Sequence, residues 1–192
     1  MKLVKASDPI LSKELNDINI DNPQIDLKET KDQMVDLMVS QRGLGLSAGQ
    51  VGIDYKLFII GESKENCMMF VNPEVLSVSE ETELDVEGCL SYPDMFVKML
   101  RPNMVEAKWF DEEGKPQEGR FEGYTARCFL HEYDHLFGVV FKDKVSRLKW
   151  DRALKKKQKI TKQRNQLTAY MANAQAAIDN AKAAQEQAAT QE

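Results

Sequence analysis

All ten glycines and all six prolines of this 192-residue chain lie at or before Gly138, and the last 54 residues contain neither. Glycine and proline are the residues that punctuate regular structure. Up to Gly138 the chain therefore reads as short strands and turns between helices, and from Ser146 onward as one long helix. In the first part, a short helix is expected within Pro9–Ile18. A longer one is expected within Leu27–Gln41, where Leu27, Met34, Val35 and Met38 fall at helical spacing. Strands are expected at 56–60, 68–71, 75–78, 82–86 and 103–110, with Asp111 to Pro116 turning a hairpin back through 119–124. A central helix should start near Thr125 as its cap and stop at Gly138, with Phe129, Tyr133 and Phe137 packing along it. In the long helix Ile160, Leu167, Tyr170, Ala174, Ala177 and Ala181 form a heptad-like stripe, and the polar end from Ala184 to Glu192 is expected to fray.

An apolar fraction of 42 % with 30 % charged residues describes a chain able to bury a core. No apolar run approaches the roughly 20 residues that cross a bilayer, and Met1 to Asp8 lacks the apolar segment of a signal peptide. Cys67, Cys89 and Cys128 are an odd set that reads as reduced thiols, which points to the cytoplasm. The net charge of −5 is unevenly spread: residues 142–164 carry +9 and the remainder −14. Any contact with nucleic acid is thus expected through the basic segment.

Both histidines fall in His131-Glu132-Tyr133-Asp134-His135. On a helix, positions i and i+4 share a face with Cβ atoms roughly 5–6 Å apart, so both imidazoles can reach one ion. The glutamate between them is placed to move protons for a water on that ion. Two ligands leave the site incomplete. The extended zinc-protease pattern His-Glu-x-x-His-x-x-Gly-x-x-His matches at Gly138 but has Phe141 where its last histidine should be, and no Glu occurs between Leu136 and Gln185. Asp143 and Asp151 are the formal acidic candidates. Cys89, in Glu87-Gly88-Cys89-Leu90-Ser91, completes a thiolate–imidazole–imidazole set with one position open. Cys128, at i−3 from His131, is its rival, although three ligands from one helix make an awkward geometry.

Three stretches occur in an order that resembles the peptide deformylase family. They are Gly43-Leu44-Gly45-Leu46-Ser47-Ala48-Gly49-Gln50, then Glu87-Gly88-Cys89-Leu90-Ser91, then His131 to Leu136 followed by Gly138. With Asp8-Pro9 and Arg101-Pro102, the resemblance spans about residues 1–145, which gives a catalytic domain at 1–145 and a helical extension at 146–192. Ser47 stands where the family usually has alanine, Gly49 where it has proline, and Leu130 where it has glutamine. These departures suggest a divergent, phage-like branch, and Gly49 is expected to loosen the loop that aims Gln50. The first stretch is not a dinucleotide loop, because its glycines are off by one and it follows a helix. No nucleotide cofactor is expected.

The resemblance implies an α+β fold with antiparallel strands around a central metal-bearing helix. It also implies an enzyme that removes the formyl group from N-formyl-methionyl nascent peptides. In that reading Cys89, His131 and His135 hold one divalent metal, natively Fe(II), with Zn(II), Ni(II) or Co(II) also suited to the donors. Glu132 moves the proton, while the Leu90 N–H and the Gln50 amide meet the developing oxyanion. Gly43, Leu44 and Gly45 would pair with the substrate backbone. Leu44, Cys128 and Phe129 would line the methionine pocket, and Glu87 would pair with Arg101. Some members of the family reach the ribosome through a basic C-terminal helix, a role that residues 147–164 could serve here. No membrane contact is expected.

Overall fold

The computed structural model describes residues 1–189, with side chains described to residue 178. The chain divides into two compact units, Met1–Trp150 and Asp151–Glu192. The first unit is built on a five-stranded antiparallel sheet and a separate two-stranded ribbon. In chain order its elements are α1 (Leu27–Ser40), β1 (Gly45–Ser47), β2 (Leu57–Ile60), β3 (Met68–Val78), β4 (Thr82–Gly88), β5 (Phe96–Pro102), β6 (Met104–Phe110), β7 (Pro116–Glu122) and α2 (Gly123–Leu136). The sheet runs β1-β2-β3-β6-β7 and the ribbon pairs β4 with β5.

Strand periodicity puts a helix on each face of the sheet. Successive side chains point to opposite faces. Leu57, Ile59, Met69 and Val71 accordingly join Met34, Val35 and Met38 of α1 in one buried cluster. Phe58 and Phe70 point the other way and join Ala126, Phe129 and Leu136 of α2 in a second. Here Phe70 stacks on Phe58 at 4.8 Å and meets Phe129 edge-on at 5.2 Å. Such pairs add about 0.5–1.5 kcal/mol each beyond the area they bury. The expected packing of Phe129, Tyr133 and Phe137 is also present, with rings 6.0 and 5.0 Å apart along α2.

Several boundaries differ from expectation. The helix expected within Pro9–Ile18 is only a 3-10 turn, Pro9–Ser12, capped by the Asp8 carboxylate on the Ile10 N–H at 3.1 Å. Beyond it the backbone is taken by tertiary partners: Leu15 N–H donates to the Leu136 carbonyl at 2.9 Å, and Asn16 bridges to Tyr55. The strands expected at 68–71 and 75–78 are one strand, β3, whose register with β6 shifts between Val71 and Glu74. That bulge absorbs Pro73, which cannot donate to a ladder. Asn72 holds the bulge in place, bonding the Ile18 N–H at 2.9 Å and the Ile18 carbonyl at 2.7 Å. Helix α2 begins at Gly123 rather than near Thr125, with no side-chain cap. Gly123 takes a left-handed φ of 56° and its N–H bonds the Asn103 carbonyl at 2.8 Å, so β7 turns straight into the helix. The helix ends at Leu136, with Gly138 just past the C-cap Phe137. Strands β1 and β5 were not foreseen.

Helix α3 spans Arg147–Ala189. Ile160, Leu167 and Tyr170 of the expected stripe are 40 %, 59 % and 71 % exposed, so within this unit the stripe has no covering partner among the described residues. The Ala181 side chain lies outside the described side chains; of the end expected to fray, residues 184–189 continue as helix and 190–192 lie outside the described residues. Within the first unit, Trp150 at the start of α3 packs edge-on against Tyr92 and Phe141 at 5.8 and 5.6 Å. The expected boundary between 145 and 146 thus lies a few residues before the division at Trp150.

Candidate metal centre and active site

Helix α2 is central because its neighbours include β1, β2, β5, β6 and β7. It carries His131 and His135 one turn apart on the same face. Strand β4 ends at Gly88, and the chain turns at once, with Tyr92 N–H bonding the Cys89 carbonyl at 2.9 Å. This turn delivers Cys89 to the two imidazoles. The Cys89 thiol sulfur lies 3.3 Å from His135 Nε2. The ligand atoms of Cys89, His131 and His135 all fall within 4.8 Å of one another, and all three residues are buried.

The set can be compared with what an ion requires. Bonds of about 2.3 Å to sulfur and 2.0–2.1 Å to nitrogen, at tetrahedral angles, place ligand atoms about 3.4–3.6 Å apart. The Cys89–His135 separation is close to that value. His131 turns Nδ1 to the Glu87 carboxylate at 3.0 Å, which leaves Nε2 for an ion. A soft thiolate with two imidazoles suits a divalent transition metal. Among the described residues no other His/Cys/Asp/Glu group reaches this arrangement. Asp143, Asp151 and Cys128 are not part of it.

Glu87 anchors the centre. Arg101 grips its carboxylate with Nε and Nη2 at 2.8 and 2.9 Å. Arg127 adds Nη1 at 2.8 Å. Burial alone would raise the Glu87 pKa, but hydrogen bonds from His131 and Arg101 outweigh it and bring it down to about 2. The expected Glu87–Arg101 pair is therefore a buried network rather than a surface ion pair. Arg101 also reaches Asp134 on α2 at 2.5 Å.

Glu132 faces the same cleft and is buried, with Oε2 lacking a hydrogen-bond partner. Burial pushes its pKa up to about 7, opposed by the nearby His131 and Arg101 charges. It lies against β1: a Cβ built on Gly45 would stand 2.5 Å from Glu132 Oε1. Glycine at 45 thus makes room for the carboxylate, whatever it also does for a peptide.

Gln50 sits in the 3-10 turn Ala48–Val51 and is held at both ends of its amide. Oε1 accepts from the Ser47 N–H at 2.9 Å, while Nε2 lies 3.3 Å from the Cys89 sulfur and 3.1 Å from Ser91 Oγ. These bonds set its aim directly, even with Gly49 in the turn. Leu90 is half-buried in the cleft wall beside it.

The cleft has a volume of about 530 Å³ and is lined by Gly43, Leu44 and Gly45, by residues of the Cys89 loop, and by Cys128, His131 and Glu132 of α2. Among the described residues β1 pairs only with β2, so its other edge is left toward the cleft. Part of the 43–45 backbone is already committed. Gly43 N–H donates to Met38 at 2.9 Å, and the Leu44 carbonyl accepts from Gly61 at 3.0 Å. Cys128 is half-buried in the cleft wall, its pKa raised to about 12 by burial and by the neighbouring Glu132. Phe129 is a correction: it is fully buried among Phe58, Phe70 and Phe121 and does not line the cleft. Position 129 lies on the sheet side of α2, whereas position 128 lies toward the cleft.

Arg127, Ser91, Tyr92, Tyr124 and Asp134 were not singled out in the sequence. Arg127 could have been, because it lies four residues before His131 and so shares its helix face.

A family profile for polypeptide deformylases matches residues 1–151. A peptide deformylase of Zymomonas mobilis is 43 % identical over 138 residues, covering 68 % of this chain and 78 % of that protein. Another, from Mesorhizobium japonicum, is 38 % identical over 165 residues, covering 83 % of this chain and 92 % of that protein. Among solved structures, a peptide deformylase from Synechococcus elongatus in complex with actinonin superposes with a TM-score of 0.75 at 37 % identity, over 82 % of this chain and 86 % of that one. A probable deformylase of a Synechococcus phage is 33 % identical with a TM-score of 0.68, covering 76 % of this chain and 99 % of that one, so similarity does not single out a phage branch. With three ligand-type side chains converging beside an unpartnered buried glutamate, and with these matches across its first unit, the chain belongs to the polypeptide deformylase family.

Proposed function

We propose that this chain removes the formyl group from N-formyl-methionyl peptides with Cys89, His131 and His135 holding one divalent ion, Fe(II) in the native state. Zn(II), Ni(II) and Co(II) suit the same donors. The observation that carries the reading is the buried thiolate–imidazole–imidazole cluster opening onto the cleft that Glu132 shares. When bound, the ion supplies Lewis acidity that can bring the pKa of a coordinated water toward about 7.

The chain's own residues do the rest. Glu132 takes a proton from the attacking water at its carboxylate and delivers it to the amine nitrogen as the formyl C–N bond breaks, and a pKa raised to about 7 suits both directions of transfer near neutral pH. The Gln50 Nε2 amide and the Leu90 N–H receive the charge that develops on the formyl oxygen. Removing one such donor typically costs about 10²–10³ in rate. The segment 43–45 leading into β1 takes up the peptide backbone as an added strand, using groups not already bonded to Met38 and Gly61. Leu44 and Cys128 border the methionine side chain, with Cys128 acting as a neutral thiol.

An anaerobic preparation assayed for formate release, with metal content measured alongside, tests this reading. Wild type should release formate from formyl-Met peptides, and Glu132→Ala should lose the activity while retaining its metal. Iron-loaded protein that releases no formate would sink it.

For the extension, the reading is ribosome contact through 147–164 in the cytoplasm, supported by the +9 charge of 142–164. Replacing Lys155, Lys156, Lys157 and Lys159 with Glu in the full chain should abolish ribosome binding at low salt. Unchanged binding counts against it.

A further inference from the structure

The cysteine ligand and the histidine ligands come from different elements. Cys89 ends the β4–β5 ribbon, and the histidines ride on α2. Something must fix the ribbon against the helix if the ligand atoms are to keep their separation.

We infer that Arg127 is a positioning residue of the metal centre, its guanidinium tying both strands of the ribbon and the Glu87 carboxylate to α2. The inference rests on the reading that Cys89, His131 and His135 hold a divalent ion. Arg127 stands one helical turn before His131, so the two side chains leave α2 on the same face. They divide a single carboxylate: Arg127 Nη1 takes Glu87 Oε1 at 2.8 Å, and His131 Nδ1 takes Oε2 at 3.0 Å. Two successive turns of the helix thereby set the tilt of Glu87, and Glu87 sets the tautomer and ring plane of His131. An Nδ1–H committed to Glu87 leaves Nε2 as the ligand atom.

The same guanidinium also holds main chain. Nη2 donates to the Glu83 carbonyl of β4 at 2.7 Å, and Nη1 lies 3.3 Å from the Met99 carbonyl of β5. Arg101 crosses in the other direction, from β5 to Asp134 and the Leu130 carbonyl of α2. The two arginines flank His131, Arg127 on the N-terminal side and Arg101 on the C-terminal side. Both are 4 % exposed, so neither contact is traded for water. A lysine at 127 would keep the charge but could not span Glu87, Glu83 and Met99 at once, since it lacks the planar fork.

The test uses Co(II) as the probe in the full-length protein, anaerobically. Its dissociation constant is measured against a competing chelator, and the thiolate-to-cobalt absorption band is recorded. R127K and R127Q should each raise the dissociation constant by about 10–100-fold, the usual cost of losing a partner behind a metal ligand. R120Q, on an exposed strand position where the guanidinium pairs with Glu122, should leave it unchanged. At saturating Co(II) the arginine-127 variants should regain KM for a formyl-Met peptide, because Arg127 acts through the ligands. If R127K binds Co(II) within about threefold of wild type, the inference is overturned, even where its thermal midpoint drops, since that would mark a purely structural role. Should R127Q fail to fold, R127K alone decides. A wild-type protein lacking a thiolate–cobalt band that depends on Cys89 overturns the metal reading, and the inference with it.

Discussion

Glu87→Gln should be among the most costly single substitutions in the metal-free protein. It removes one negative charge from between two buried guanidinium groups, leaving Arg101 with Asp134 and taking from Arg127 the carboxylate it pairs with. Stripping one member from a buried ionic network costs about 3–5 kcal/mol. The pKa gives a consistent magnitude: a fall from 4.5 to about 2 corresponds to about 3 kcal/mol of folded-state stabilisation at neutral pH. Because the folded pKa is depressed, that stabilisation is fully present above pH 4.5 and is lost as pH falls toward 2. Urea unfolding of chelator-treated wild type and Glu87→Gln reads it directly. The two should differ by about 3 kcal/mol at pH 7, and the difference should shrink steadily below pH 4.5. A difference under about 1 kcal/mol at pH 7, or one that does not narrow on acidification, refutes the account of Glu87 as the ionised hub of the site.

Glu132→Gln should move stability the other way. The buried carboxyl keeps its proton to about pH 7 when folded and to 4.5 when unfolded, so at pH 8 its ionisation opposes folding. The substitution should stabilise the metal-free protein by about 2–3 kcal/mol at pH 8, by urea titration, and abolish formate release. Gly45→Ala puts a Cβ 2.5 Å from Glu132 Oε1. A displaced acid–base group should lower kcat by about 10²-fold with little change in KM, measured by steady-state formate release. Phe129→Ala should destabilise by about 3–5 kcal/mol in urea, as befits the aromatic core, whereas Cys128→Ala at the cleft wall should cost far less.

Much of the site was legible because its chemistry depends on rare residue types. Two histidines at i and i+4 can share a helix face wherever the helix sits, and Cys89 follows a strand that ends in glycine. The Leu27–Gln41 helix was visible in its apolar spacing and is observed as Leu27–Ser40. Strand β5 was obscured because its exposed face is as apolar as its buried one: Phe96 and Leu100 are 61 % and 63 % exposed while Val97 and Met99 are buried. A period of two cannot be read where both faces carry large apolar residues. The segment 9–18 failed for another reason. Its leucine spacing is helical, but Leu15 and Asn16 spend their backbone groups on Leu136 and Lys56.

What the sequence by itself determined is the pairing of two histidines on one helix face with Glu132 between them, the turn-rich body and the uninterrupted helix that follows it. Composition and short-range spacing encode each of these. Only the tertiary structure decided that Phe129 belongs to the core and Cys128 to the cleft, that Gly45 clears space for Glu132, and that Glu87 is shared by Arg101, Arg127 and His131. Those relations join residues 14 to 87 positions apart. Closeness over such separations is set by how β1, the β4–β5 ribbon and α2 pack, which no local pattern records.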